Sequence, residues 1–537
     1  RNPGPNACRA RRPHGSARAS IDRLWSCFGA LVAWPRDQFF SFSSATMVLS
    51  AAAAHGIVFG TLAVFGLTAL ASLRSEAVQK LDRDTYFAAR NTQNWIALSL
   101  SFFASGVGAW VLFAVAETGT QAGSIGVAGY AIAVCVPLAM LTVVAPYMRE
   151  NLPHGVTFSD YLQQRFGTAV ATYVTCISVF YMFVYLAAEF TSVGGAVMLL
   201  SGLQSPLAPV LGTSLITLAY SAMGGLPVSL LTDQVQGVMV LILLVVIGVG
   251  ALAYTPLEPG AIAASGAADA TPGGVSALVV LIIAIACANM FHGGYWQRVW
   301  AAADNKAMIY GSLGASALQI LVVVLVGVLG MAAFARYGST LFSPNYVAFL
   351  AAFFLINEMP LGWQVVAIIA TVCMVASSAD TLQNGMAAIF SSNPRLTVRH
   401  AQVFTVLVNV PAIILATLQL SVLSLFLLAD LVAAATIVPL ALGLWRRTHP
   451  NAALAGCVVG LITIIVVYCV GGALEFGSVG KGLASLYGAL VLTSPTLLTA
   501  FILAPFFSGL TTVVGSLMVK YEFEGFTDVQ KSVSVKV

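Results

Sequence analysis

Charge is scarce in this chain. Asp, Glu, Lys and Arg make up only 8% of its 537 residues, while apolar and aromatic residues make up 59%. Soluble domains carry about 25% charged residues, and a soluble body of this size could not cover its surface with so few. The shortage excludes a soluble enzyme, a nucleic-acid binder and a disordered chain. Paired cysteines are missing as well. Of the eight, Cys8 and Cys27 precede the first long apolar run, and Cys135, Cys176, Cys287, Cys373, Cys457 and Cys469 stand singly in apolar sequence. With no C-x-x-C spacing, neither a zinc site nor a disulfide scaffold is expected. The six histidines are dispersed, and no paired catalytic acids or nucleophile elbow occur, so an enzyme is not expected and neither is a cofactor.

Long apolar runs are what the chain has in abundance. A crossing helix needs about 20 mainly apolar residues. The stretches that qualify are 50–73, 95–116, 124–148, 168–200, 206–225, 235–255, 276–296, 311–335, 363–391, 400–418, 421–443, 454–474 and 489–510. The expectation is an all-α polytopic membrane protein of about 13 transmembrane helices, with the lipid bilayer as its surroundings and no sizeable soluble domain.

Lys and Arg in short loops set the orientation. With the loop holding Arg74, Lys80, Arg83 and Arg90 placed in the cytoplasm, sides alternate. Cytoplasmic segments then also receive Arg149, Arg165, Arg298, Lys306, Arg395, Arg399, Arg446, Arg447, Lys520, Lys531 and Lys536. Only Arg336 and Lys481 fall on the other side. This puts the N-terminus outside and the C-terminus inside. Residues 1–46 conflict with it, since they hold seven Arg against Asp22 and Asp37 and precede the first methionine, Met47. The sequence reading takes them as a basic leader outside the functional protein, with an organellar transit peptide as the alternative.

Two apolar runs are interrupted. The second contains Ala104-Ser105-Gly106-Val107-Gly108-Ala109-Trp110, and the seventh contains Ala288-Asn289-Met290-Phe291-His292-Gly293-Gly294. Glycines can simply allow helices to approach closely. Breaks at matching positions of two halves, however, are the mark of an inverted-repeat transporter site. The ninth run carries Ser377-Ser378-Ala379-Asp380-Thr381-Leu382-Gln383-Asn384. Hydroxyls there either bond back within the helix or, together with freed carbonyls, offer hard oxygen ligands to an alkali cation. Glu189 and Asp430 are acids inside apolar runs, which pair structurally or serve transport.

These patches resemble the sodium/solute symporter family, the group of proline, glucose and urea active transporters. The likeness is carried by Gly106–Trp110, Thr157–Gly167 (TFSDYLQQRFG), Tyr220–Gly237 (YSAMGGLPVSLLTDQVQG), Tyr295-Trp296-Gln297-Arg298 with Ala301-Ala302, and Ser377–Asp380, in the family's order over roughly residues 50–450. The Tyr-Trp-Gln ending is most similar to the urea branch, although Gly293-Gly294 stand where that branch has an acid. The resemblance implies a leucine-transporter-type core of inverted five-helix repeats, with one leading and two trailing helices. The segments are 47–94 for the first helix and its loop, 95–255 and 276–443 for the repeats, 444–519 for the trailing helices and 520–537 for a cytoplasmic tail.

The resemblance also implies a set of site residues. The cation site would use the carbonyls of Ala104, Val107 and Met374 with the hydroxyls of Ser377 and Ser378. Asp233 would serve a second cation site or coupling, unless it is a loop acid capping the next helix. Proline-type members carry an acid where this chain has Gly106, so Glu189 and Asp380 could exchange protons instead, leaving Na+ and H+ both open. Trp110, Glu189, Phe291 and His292 would line the solute site, though a lone buried His is often only structural. The expected protein is a symporter in the plasma membrane, monomeric, with no cofactor beyond the transported Na+ or H+. Its cargo is a small polar solute such as urea or a polyamine. A passive facilitator and a non-transporting nutrient sensor are the alternatives.

Overall fold

The computed structural model describes residues 49–73, 82–338, 348–389, 396–488 and 490–526. The leader 1–46, the loop charges Arg74, Lys80 and Arg395, and the tail beyond Phe526 lie outside them. Among the described residues the regular structure is helical, with one isolated bridge between Gln93 and Ala302.

The helices that matter to the site are α1 (Ala51–Ser72), α2 (Arg83–Ala88), α3 (Trp95–Gly106), α4 (Ala116–Ala133), α5 (Cys135–Asn151), α6 (Phe158–Phe166), α7 (Thr168–Ser201) and α8 (Leu207–Tyr254). They continue with α9 (Pro272–Ala288), α10 (Gly293–Ala301), α11 (Asn305–Tyr337), α12 (Leu361–Ala388), α13 (Val398–Thr417), α14 (Val422–Ala441), α15 (Pro450–Phe476) and α16 (Pro495–Leu517). Short polar side chains start several of them. Asn94, Thr271, Asp304, Ser421 and Ser494 each accept a hydrogen bond from a backbone N–H in the first turn, which satisfies a donor the helix itself cannot.

Among the described residues, eleven helical stretches are long and apolar enough to cross a bilayer. Two of them exceed a single crossing. The 48 residues of α8 would span about 72 Å at 1.5 Å per residue, against a hydrocarbon core of about 30 Å. Its helical angles fail at Gly225 (φ 56°, ψ −152°), where a Cβ would lie 2.6 Å from the Tyr86 carbonyl of α2. The stretch Val111–Asn151 fails in the same way at Gly123 (φ 56°, ψ −149°). Only glycine adopts these angles without strain. The difference between eleven stretches and the thirteen expected from sequence lies in α8, which covers two of the expected runs, and in α3 (Trp95–Gly106), which the break after it leaves too short to count.

Guanidinium groups tie segments together at one end of the bundle. Arg90 donates to the carbonyls of Pro153, His154 and Gly155, and Arg149 to those of Val299 and Ala302. The TFSD motif is a capping box at the start of α6, with Asp160 accepting from the N–H groups of Val156 and Thr157 at 2.8 Å. Arg165, at the other end of α6, donates to the carbonyls of Gly443, Trp445 and Thr448. Its guanidinium carbon lies 4.5 Å from the centre of the Phe523 ring.

Two helices are broken at depth. After α3 the chain leaves helical geometry at Val107 (φ −102°, ψ 79°) and resumes as a π-turn over Val111–Val115. After α9 comes a 3-10 turn, Asn289–Phe291, then an extended residue, His292, before α10 begins. Beside both breaks runs α12, the most enclosed of the eleven stretches, with 83% of its most apolar window buried. Its polar run 377–384 is therefore turned to protein rather than lipid.

Candidate functional site

The break after α3 redirects its own backbone. In a continuous helix the Ala109 N–H would bond to the Ser105 carbonyl. Here it donates to Glu189 Oε2 at 2.9 Å. The Val111 N–H bonds to the Gly108 carbonyl at 3.2 Å rather than to that of Val107. The Ser105 and Val107 carbonyls thereby lose their helical donors, and in hydrocarbon such groups cost several kcal/mol unless another partner meets them. Gly108 makes room for the acid, since a Cβ there would stand 1.8 Å from Glu189 Oε1. At Gly106 a Cβ would stand 2.2 Å from the Tyr295 hydroxyl, so the acid that proline-type symporters carry at this place has no space here. Glu189, reaching across from α7, brings a carboxyl to the break instead.

The two serines of α12 serve different acids. Ser378 faces the Glu189 carboxyl, whose Oε1 has no hydrogen-bond partner. Ser377 donates to Asp233 Oδ1 at 2.9 Å. Met374 sits one turn before Ser378 and is buried in α12, as Ala104 is in α3. Asp233 also accepts from Ser101 at 2.7 Å and from Arg298 at 2.5 Å, with the ion pair wholly buried. Two expectations are corrected here. Asp233 is inside α8 and 0% exposed, so it is not a loop acid capping a helix. Arg298 is not a cytoplasmic loop charge. It is 0% exposed within α10 because the helix continues past the apolar run that defined the span.

Asp380 accepts from Ser221 of α8 and from Asn384 at 2.8 Å, and its Oδ2 has no partner. Gln383 extends this polar cluster to Asn409 at 3.0 Å and Thr217 at 3.2 Å.

Between the breaks is a small cavity of about 40 Å³. Ser105, Gly106 and Ser378 form part of its wall, and aromatic rings form much of the rest: Trp110, Tyr130, Tyr185, Tyr295 and Phe426. Trp110 stacks on Tyr130 at 5.4 Å between ring centres, and Tyr185 lies 4.2 Å from Phe426. The Tyr185 hydroxyl donates to Asp430 Oδ1 at 2.9 Å. His292 reaches the wall with Nδ1 unpaired and only 4% of the residue exposed.

Of the residues expected at the solute site, Trp110 and His292 are on the wall of this cavity, and Glu189 stands beside Ser378. Phe291 is buried but is not on the wall, which Asn289 and His292 reach instead. Sequence reasoning missed Tyr130, Tyr185, Tyr295, Gln319 and Phe426 on the wall. It also missed Glu117, a buried acid that accepts from Ser421 at 3.1 Å and from Gln121 at 2.9 Å. The one signal available was spacing, since Tyr185 lies four residues before Glu189 on one helix face.

Comparison with known proteins places the fold and the family. The family profile described as Sodium:solute symporter family covers residues 86–460. The spermidine transporter DUR31 of Candida albicans is 30% identical over 365 residues, 67% of this chain and 69% of that protein. Sodium/glucose cotransporter 2 of Rattus norvegicus is 32% identical over 162 residues, 29% of this chain and 23% of that protein. A Na+-coupled sialic acid symporter, solved substrate-bound and outward-open, superposes with a TM-score of 0.67 at 19% identity, over 87% of this chain and 98% of that one. Mhp1, a nucleobase-cation-symport-1 family transporter, gives 0.51 at 13% identity over 85% and 100%. At those identities the two structures establish the fold alone, the all-α leucine-transporter-type arrangement. The relatives are transporters and not enzymes, and the chain is an integral membrane protein that belongs to the sodium:solute symporter family.

Proposed function

We propose that this protein is a cation-coupled symporter that carries a polyamine inward across the plasma membrane. The observation that supports the cargo is the cavity wall, where the rings of Trp110, Tyr130, Tyr185 and Phe426 come together and the Tyr185 hydroxyl bonds an acid behind the wall, Asp430. An ammonium group is attracted to aromatic faces by roughly 2 kcal/mol or more when desolvated, and a buried carboxylate gives it a charge partner. A sugar or a neutral amide has no use for that acid. The spermidine transporter of Candida albicans, matched over two thirds of its length, points the same way.

Urea receives less support. Of the three residues that carry the likeness to urea transporters, only Tyr295 is on the wall. Trp296 donates to the Met290 carbonyl at 2.7 Å and Gln297 to the Phe87 carbonyl at 2.8 Å. Both hold the helix in place and neither meets a solute.

The coupling cation is assigned to the gap between α3 and α12, with the carbonyls of Ala104, Val107 and Met374 and the hydroxyls of Ser377 and Ser378 as ligands. Its arrival steadies the broken helix and the adjoining cavity wall, so that cargo binds an ordered site. Closure on the other side then releases both, driven by the inward cation gradient. The Lys and Arg bias orients the chain with its N-terminus outside. Na+ is the favoured cation, and Glu189 or Asp380 would serve if H+ replaces it.

The test is uptake of radiolabelled spermidine, urea, proline and glucose by a transport-deficient host expressing the chain, with Na+ and pH varied independently. Spermidine accumulation that follows one cation gradient is expected. Accumulation of urea but not spermidine rejects the cargo. Spermidine entry that persists after all gradients are collapsed shows a facilitator, and binding without entry shows a sensor.

A further inference from the structure

The amine cargo proposed above leaves open how many charges the cavity reads. Two carboxyl groups stand behind its wall, each joined to it through one wall residue, Asp430 through Tyr185 and Glu189 through Ser378. Tyr185 and Glu189 are four residues apart on α7, so they share a face and are separated by about 6 Å along the axis. Tyr185 brings Asp430 to its own level through the 2.9 Å bond to Oδ1. Glu189 marks the second level, where it accepts the Ala109 N–H and faces Ser378, a wall residue. Glu189 Oε1 is buried and has no hydrogen-bond partner.

Acids alone do not make a site. His292 supplies an independent observation. It is 4% exposed, it lies on the cavity wall, and its Nδ1 has no partner. A buried polar atom facing a cavity in this way is met by a polar guest. The space between the two levels is bounded by Trp110, Tyr130 and Phe426, and rings suit the methylene chain of a guest as well as its charged ends.

We infer that the cavity selects solutes carrying two ammonium groups joined by a short alkyl chain, one group paired with Asp430 beside Tyr185 and the other with Glu189 beside Ser378. The inference rests on the amine cargo above. A monoamine of the same length supplies a cation to one carboxyl and leaves the other without one, so it binds more weakly. A guest with ammonium groups too close together reaches only one level.

The experiment compares putrescine with n-butylamine, which has the same carbon chain and one charge fewer. Both are assayed as competitors of radiolabelled spermidine uptake and as ligands raising the melting temperature of the detergent-purified full chain. The wild type should prefer putrescine by at least about tenfold, the scale of one charge-assisted hydrogen bond. Asp430→Asn and Glu189→Gln should each shrink that preference to within about twofold to threefold, mainly by weakening putrescine. Where a neutral variant fails to fold, Asp430→Glu keeps the charge and advances it by one methylene, and should shift preference toward diaminopropane. Equal competition by butylamine and putrescine in the wild type overturns the two-charge inference while the amine cargo stands. So does a preference that survives both neutral variants, or an Asp430→Glu variant with unaltered length preference. If no amine competes or stabilises, the cargo assignment itself falls.

Discussion

Arg298 and Asp233 meet at 2.5 Å with neither side chain exposed to solvent. The pair joins α10, which follows one helix break, to the centre of α8. It also holds Ser101 of α3 and Ser377 of α12 through Asp233. Four helices around the two breaks therefore converge on one carboxyl group.

A consequence concerns Asp233→Asn. Removing one member of a buried ion pair costs about 3–5 kcal/mol, because the other charge is stranded. The variant should give a much lower yield of monodisperse protein in fluorescence-detected gel filtration. Adding Arg298→Gln should restore part of that yield. The cation dependence of uptake in the double variant then isolates any coupling role of Asp233 from its structural one. An unchanged yield of the single variant would show that the pair carries no stability.

The serines of α12 permit a sharper separation. Ser378→Ala should raise the cation concentration for half-maximal uptake about tenfold, the worth of one hydroxyl ligand at roughly 1–1.5 kcal/mol. Ser377→Ala should raise it too, and should also lower thermal stability by about 1 kcal/mol, since its bond to Asp233 is lost. Identical cation dependence in the wild type and in the double variant removes the assigned cation site.

Much of this geometry is legible before folding, and the rest is hidden for identifiable reasons. The breaks at 105–109 and 289–294 stand out because glycines and polar residues interrupt otherwise unbroken apolar runs. Glu189 and Asp430 stand out because acids inside such runs are costly. Arg298 does not, since an Arg at the end of an apolar run looks like any loop charge, and only the 65-residue contact with Asp233 reveals otherwise. The aromatic wall is equally hidden. Tyr185 and Phe426 would look the same in sequence if they faced lipid, and the approach of α7 to α14 decides between the two. Phe291 is expected at the site from the resemblance alone, and it lies in the 3-10 turn of the break, from which Asn289 and His292 reach the wall.

Gly108 should tolerate no side chain while Glu189 is present. Gly108→Ala places a Cβ 1.8 Å from Glu189 Oε1, so the acid must leave the Ala109 N–H or the broken helix must shift. Transport should fall by more than about tenfold, since the loss of a hydrogen bond to a charged group is worth about 1.5–3 kcal/mol. Combining it with Glu189→Ala should recover the melting temperature without recovering transport. A Gly108→Ala protein with normal uptake would mean that Glu189 is not held at the break.

The final prediction concerns Arg165, whose guanidinium binds three carbonyls just past the end of α14 and lies over the rings of Phe166 and Phe523. A planar fork with several donors can do this, whereas an ammonium on a flexible stem cannot hold the same set. Arg165→Lys keeps the charge and should still lower stability by about 3–6 kcal/mol, because two hydrogen bonds from a charged donor are lost. Phe523→Ala removes only the ring contact, worth about 1 kcal/mol or less at a partly exposed site. The order of melting temperatures in the purified protein should therefore be wild type, then Phe523→Ala, then Arg165→Lys. Were Phe523→Ala the more damaging of the two, the ring contact of the C-terminal segment, rather than the carbonyls at 443–448, would be what Arg165 chiefly secures.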